Sequence, residues 1–167
     1  LQDCSIQRLN SLKNFNNLTK LCLDSNPLLT NTFENICFLS NLIELKLEET
    51  PLEDTSPFIT LSKLEKLSVG FCQKLKEVKG LEELKSLNYL DLNFSEIESA
   101  ENIHVQSNLQ SLNISNSGIR KISGLDYYPF LKTLELSGNP ITKIDGLKSL
   151  KSLILSSAFI SRMEGLE

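Results

Sequence analysis

Residues Leu131–Leu147 read LKTLELSGNPITKIDGL. The segment opens with Leu-x-x-Leu-x-Leu at Leu131, Leu134 and Leu136. Successive side chains of a strand point to opposite faces, so Leu134 and Leu136 share one side and Thr133, Glu135 and Ser137 share the other. Asn139-Pro140 then ends the strand. An Asn side chain can bond backbone groups that a turn leaves unpaired, and the fixed φ of Pro suits the bend. After the turn, Ile141, Ile144 and Leu147 fall on every third residue, the period of a 3₁₀ turn.

The six-residue strand motif recurs outward in both directions. It stands at Leu18/Leu21/Leu23, Leu42/Leu45/Leu47, Leu64/Leu67/Val69, Leu87/Leu90/Leu92, Leu109/Leu112/Ile114, Leu131/Leu134/Leu136 and Leu150/Leu153/Leu155. The first leucines are spaced 24, 22, 23, 22, 22 and 19 residues apart. A partial copy opens the chain, with Leu1 in the last strand slot, Cys4 in the Asn slot, and Ile6, Leu9, Leu12 and Phe15 in the later apolar slots. The Asn slot elsewhere holds Asn26, Thr50, Cys72, Ser95, Ser117, Asn139 and Ala158. The following aliphatic slot holds Leu28, Leu52, Leu75, Ile97, Ile119, Ile141 and Ile160. One repeat cannot bury its own apolar face, whereas stacked repeats bury it together.

The pattern resembles the leucine-rich-repeat superfamily, and in particular its short class of about 22 residues, typified by the protein phosphatase-1 regulatory subunit with leucine-rich repeats. LKTLELSGNPITKIDGL and LQSLNISNSGIRKISGL (Leu109–Leu125) follow that class. The stretch TPLEDTSPFITLSKLEKL from Thr50 to Leu67 looks more like the internalin repeat of bacterial surface proteins, which often carries Ser-Pro there. The resemblance implies an α/β fold: a right-handed, curved leucine-rich-repeat solenoid. It places a parallel β-sheet of about 7–8 short strands on the concave face and 3₁₀ or irregular turns on the convex face. It also implies a protein-binding role. The repeat from Leu131 to Ser149 is one triplet short, which predicts a tighter convex turn or a change of curvature around Leu147–Leu153.

Residues 1–167 are expected to form a single leucine-rich-repeat domain, a fragment of a longer array, because neither end carries a clear capping repeat. Ala158-Phe159 in the turn slot marks the last repeat as degenerate. The apolar fraction of 40% is enough for a core, and it is filled by Leu and Ile with no Trp. The net charge of −4 argues against a nucleic-acid partner and against an anionic membrane surface. No apolar run approaches the roughly 20 residues of a membrane-spanning helix, so no membrane insertion is expected. Cys4, Cys22, Cys37 and Cys72 show no metal-ligand spacing and read as buried, reduced core residues.

No catalytic or metal-binding pattern appears. His104, the single histidine, lies in an outer turn without an assignable partner. Gly124, Gly146 and Gly165 occupy turns rather than a phosphate loop. The chain therefore reads as a non-enzyme with no cofactor. The sequons at Asn17, Asn93 and Asn113 read as accidental products of an Asn- and Ser-rich composition.

The outward strand slots define the expected binding face. Phe71, Tyr89 and Phe94 are expected to cluster in its middle as interface anchors. Lys46, Glu48, Lys66, Asp91, Asn113 and Glu135, with Glu44, surround them as a mixed, net acidic rim. The alternative is that Phe71 and Phe94 tuck over the sheet edge as ordinary packing. In Tyr127-Tyr128-Pro129-Phe130, Phe130 is expected to pack inward beside Leu131 and a tyrosine to be exposed. The expected function is an interaction scaffold or regulatory subunit in the cytoplasm or nucleus, binding a partner protein on the concave face. The alternative is an extracellular adhesin or receptor ectodomain of the internalin kind.

Overall fold

The structure is a computed structural model, and it describes residues 1–29, 33–97, 103, 108–122, 128–144, 150–156 and 162–163. In chain order its strands are β1 (Lys20–Cys22), β2 (Glu44–Lys46), β3 (Lys66–Ser68), β4 (Tyr89–Asp91), β5 (Ser111–Asn113), β6 (Lys121–Ile122), β7 (Thr133–Glu135), β8 (Lys143–Ile144), β9 (Ser152–Ile154) and β10 (Arg162–Met163). Among the described residues four short 3₁₀ helices intervene: η1 (Leu12–Asn14), η2 (Phe33–Phe38), η3 (Ser56–Phe58) and η4 (Leu81–Glu83).

Seven strands form one parallel sheet in the order β1-β2-β3-β4-β5-β7-β9, the solenoid that the repeat predicts. Its register reproduces the leucine ladder. Leu21, Leu45, Leu67, Leu90, Leu112, Leu134 and Leu153 pair in one continuous row. The step from Leu134 to Leu153 spans three residues fewer than the preceding step, yet the row is unbroken. The missing triplet is therefore absorbed away from the sheet. Of the stretch Leu147–Leu153, where a tighter turn or a change of curvature was expected, residues 147–149 lie outside the described residues.

The leucine side of the sheet is the core. Leu45, Leu47, Leu67, Leu90, Leu92, Leu134 and Leu136 are fully buried, whereas Leu18, Leu150, Leu153 and Leu155 are half-buried. On the opposite side of the coil the N-terminal half carries the 3₁₀ turns and the C-terminal half a second parallel sheet, β6-β8-β10. The Ile-rich triplets there favour extended backbone. The isolated parallel bridge Asp54–Glu77 occupies the same repeat position as Lys121 and Lys143, so the strand tendency begins earlier.

Several expected placements change. Leu28 is exposed and Leu29 fills the core slot. An extra residue follows Asn26, as one follows Cys72 before Leu75, and this accounts for part of the longer spacing of those repeats. Phe130 points outward, 56% exposed, and Tyr128 is buried instead, its hydroxyl donating to the Ile103 carbonyl. Tyr128 sits three residues before Leu131, as Leu39 sits before Leu42 and Leu84 before Leu87, so the triplet period governs. Of the cysteines, all free, Cys72 is buried, Cys22 and Cys37 are half-buried and Cys4 is exposed. His104, Gly124, Tyr127, Gly146, Ala158, Phe159 and Gly165 lie outside the described residues.

Candidate functional site

The turns that follow β1, β2, β3, β4, β5 and β7 are alike, and a buried polar ladder holds them in place. Asn139 donates from Nδ2 to the carbonyls of Ile114 (2.7 Å) and Leu136 (2.9 Å). Its Oδ1 accepts from the amides of Ser117 (2.9 Å) and Ile119 (3.1 Å). Asn26 does the same work at the other end, donating to Leu1, Leu23 and Asp24 carbonyls and accepting from the Ile6 amide. Thr50, Cys72 and Ser95 are shorter: Thr50 Oγ1 and Cys72 Sγ donate to the Leu47 carbonyl and lie 3.5 Å from each other, and Ser95 Oγ donates to Leu92. Burial pushes the Cys72 thiol pKa up.

The residue before this polar slot is left-handed in every described repeat. Asp3, Ser25, Glu49, Phe71, Phe94, Asn116 and Gly138 all have φ between 52° and 70°. Their amides extend the ladder beyond the strands: Ser25 to Glu48, Glu49 to Gly70, Phe71 to Asn93, Phe94 to Ser115, Asn116 to Ser137 and Gly138 to Ser156. Left-handed backbone suits Gly and Asn and costs about 1–2 kcal/mol for a bulky L-residue. Phe71 and Phe94 are the two bulky apolar residues in the column. Their rings stack, with centroids 4.3 Å apart and planes 13° apart. Both stay exposed, at 39% and 44%. Neither is tucked into the core.

Tyr89 belongs to a different group. It begins β4, whereas Phe94 lies in the left-handed turn beyond the end of that strand. Its hydroxyl donates to Asp91 Oδ2 (3.2 Å), which also accepts from Asn113 Nδ2 (3.2 Å), while Asp91 Oδ1 accepts from the Asn93 amide (3.0 Å). Burial first, then the Asp91 carboxylate, pushes the Tyr89 pKa up to about 12. The expected three-aromatic cluster thus resolves into a stacked phenylalanine pair at one edge of the sheet and a Tyr89–Asp91–Asn113 network on its face. The Asn113 side chain is committed to that network.

The remaining face residues sit where the slots place them. Glu44 pairs with Lys20 (3.2 Å) and lies 3.9 Å from Lys46. The Lys20 ammonium, more than any other cause, lowers the Glu44 pKa, against the opposing effect of burial. Lys66 begins β3, register-paired with Glu44 and Tyr89. Ser68 Oγ donates to Glu48 Oε1 (2.6 Å), and the Glu48 amide donates to Asp24 Oδ1 (2.9 Å). Glu135 follows Asn113 in the row, and Ile154 of β9 lies beyond it. Cys22 Sγ donates to the Asp24 carboxylate, and its thiol pKa is raised, chiefly by burial.

The slot pattern did not single out Gly70 or Glu49. A Cβ on Gly70 would lie 1.7 Å from Asn93 Oδ1, so the absent side chain makes room for Asn93. Glu49 is exposed, neighbours Phe71 in the left-handed column and accepts from Ser25 Oγ (3.1 Å). A glycine in an otherwise polar strand slot, and the column position itself, are the signals that mark them. Among the described residues no group of three or more His, Cys, Asp or Glu is arranged to hold a metal ion. No helix among them is long and apolar enough to cross a membrane.

Residues 107–149 match the family model for leucine-rich repeats (2 copies). The fold is a leucine-rich-repeat solenoid. In three dimensions it is similar to an internalin (inlF) from Listeria monocytogenes, with a TM-score of 0.86 and 27% identity, covering 96% of this chain and 48% of that one. This chain thus spans about half the length of that internalin. Internalin C2 from Listeria monocytogenes gives a TM-score of 0.69 at 23% identity, over 93% and 78% of the two chains. A TLR13 chain, solved in a TLR13-ssRNA13 complex, gives 0.77 at 24% identity, over 95% and 25%. The last two show a shared leucine-rich-repeat fold. No curated protein sequence matches the chain.

Proposed function

We propose that this leucine-rich-repeat domain is a non-enzymatic protein-interaction module that seats a partner protein across the strand face and the Phe71–Phe94 edge. Leucine-rich-repeat proteins typically mediate protein–protein interaction, and the face offers the means. The observation that carries the reading is the exposed, stacked pair of phenylalanines held in left-handed turns. Nothing in the core needs those rings there, and a column that admits Ser, Asn and Gly accepts cheaper residues. Aromatic residues, Phe among them, are enriched at the cores of protein interfaces. Tyr89 and Asn113 brace Asp91, so they shape the face, while Lys46, Glu48, Lys66 and Glu135 form its charged rim.

The test is binding to a partner selected with the wild-type chain. Phe71→Ala and Phe94→Ala are expected to weaken it by about 2 kcal/mol or more each, roughly thirtyfold. Lys66→Ala and Glu135→Ala are expected to alter association rate and salt dependence more than affinity. Unchanged binding in the phenylalanine variants, with loss on substituting the outer-side Phe38 or Phe130, would place the interface elsewhere.

Two settings fit such a module. The short repeats support a cytoplasmic or nuclear scaffold of the phosphatase-regulatory kind. The internalin-like Thr50–Leu67 segment and the likeness to a Listeria internalin over 96% of this chain support a cell-surface adhesin or receptor ectodomain. A secretion leader with an anchor in the full-length protein selects the second, and its native location by fractionation decides. The net charge of −4 favours a protein partner over nucleic acid.

A further inference from the structure

The phenylalanine stack stops at Phe71, and what lies beyond it has a definite chemistry. Column neighbours are one strand apart, about 4.8 Å, and the two rings follow that spacing at 4.3 Å. One face of Phe71 is covered by Phe94. The next position in the column, on the opposite side, is Glu49. A groove of roughly 420 Å³ opens there, lined by Pro27, Glu49, Thr50, Pro51, Phe71, Gln73 and Lys74. Glu49 is exposed, and among the described residues no ion pair includes it. Its one side-chain hydrogen bond there comes from a neutral hydroxyl, Ser25 Oγ.

We propose that the free face of Phe71, together with the Glu49 carboxylate one strand away, receives the guanidinium of an arginine carried by the partner protein. This deepens the interaction reading above and rests on it. A guanidinium is planar, so it extends the stack as a third layer. Its N–H groups lie in its own plane and reach sideways to a carboxylate while the ring is covered. An ammonium has no flat face to offer. A neutral aromatic side chain would use Phe71 and leave Glu49 unused. Lys74 lines the same groove as a like charge, so it weakens the site and orients the entering chain away from itself.

The probe is acetyl-Gly-Arg-Gly-amide, titrated at low salt into the full chain and followed by backbone amide shifts. Its citrulline and phenylalanine counterparts serve as controls. The arginine probe is expected to shift the Glu49 and Phe71 amides and to bind about two- to fivefold more tightly than the citrulline probe. Glu49→Gln is expected to erase that preference, Phe71→Leu to weaken both probes, and Lys74→Ala to strengthen the arginine probe. The unchanged amide spectrum elsewhere shows that each variant is folded. Equal affinity for arginine and citrulline, preference for the phenylalanine probe, or no shift at Glu49 and Phe71 overturns the proposal. None of those results alters the partner-binding test of Phe71→Ala and Phe94→Ala, so the two readings fail separately.

Discussion

Asn139 closes four backbone hydrogen bonds from a position 1% exposed. Each buried group left unpaired costs about 1–3 kcal/mol. Asn139→Ala is therefore expected to lower stability by about 3 kcal/mol or more in urea unfolding. Ser95 makes one bond in the equivalent slot, and Ser95→Ala is expected to cost about 1 kcal/mol. Equal losses would mean that the slot acts by volume rather than by its polar bonds. The Tyr89 phenol supplies a second residue-scale test. Its pKa of about 12 exceeds the ordinary value near 10, so the folded chain keeps a proton that the unfolded chain has lost. Its contribution to stability is complete below pH 10 and disappears as pH rises towards 12. Ultraviolet titration of wild type against Tyr89→Phe isolates the step. Asp91→Asn is expected to lower the pKa only partway, since burial is the larger cause. The polar slot was readable from spacing alone, as was the inward Tyr128 once the triplet period is applied strictly. Phe130 misled because adjacency to Leu131 in sequence is not adjacency in a structure of period three.

At the scale of the element, the seven strands of the main sheet were legible, whereas β6, β8 and β10, expected as 3₁₀ or irregular turns, and the backbone of the turns were not. Leu-x-Leu alternation fixes which side of a three-residue strand faces the core, and identical strands leave one register. The backbone of the turn is set instead by hydrogen bonds to the next repeat, which no residue type announces when Ser, Glu, Phe, Asn and Gly fill the same position. Gly70 illustrates the hidden coupling. Its neighbour across the ladder, Asn93, occupies the space of the missing Cβ. Gly70→Ala is expected to destabilise by about 1–3 kcal/mol, the usual cost of overpacking. Asn93→Ala in the same chain is expected to recover most of it, giving a coupling that a double-mutant cycle reads directly. Additive losses would show that Asn93 is free to move aside.

Across the whole molecule, the repeat acts as a ruler that places one side chain per strand at a fixed spacing. Shortening the repeat after Leu134 leaves the ruler intact, because the sheet holds register across it. That is why the fold was readable end to end, while grouping on the face was legible only in part. Sequence position placed Phe71, Tyr89 and Phe94 in the middle repeats, but their separation along the strand divides them into two sites. The central claim is that the ladder is the scaffold and the phenylalanine edge is placed on it for binding. Two left-handed phenylalanines cost about 1–2 kcal/mol each in backbone strain, and their stack returns about 0.5–1.5 kcal/mol. Asparagine suits the left-handed turn, as Asn116 in the same column shows. The most direct measurement is the urea-unfolding free energy of the Phe71→Asn/Phe94→Asn double variant against wild type. A value equal to wild type or above it by about 1 kcal/mol is predicted. A loss of more than about 3 kcal/mol, of the size seen for removing core aromatics, would contradict the account and make the rings part of the fold.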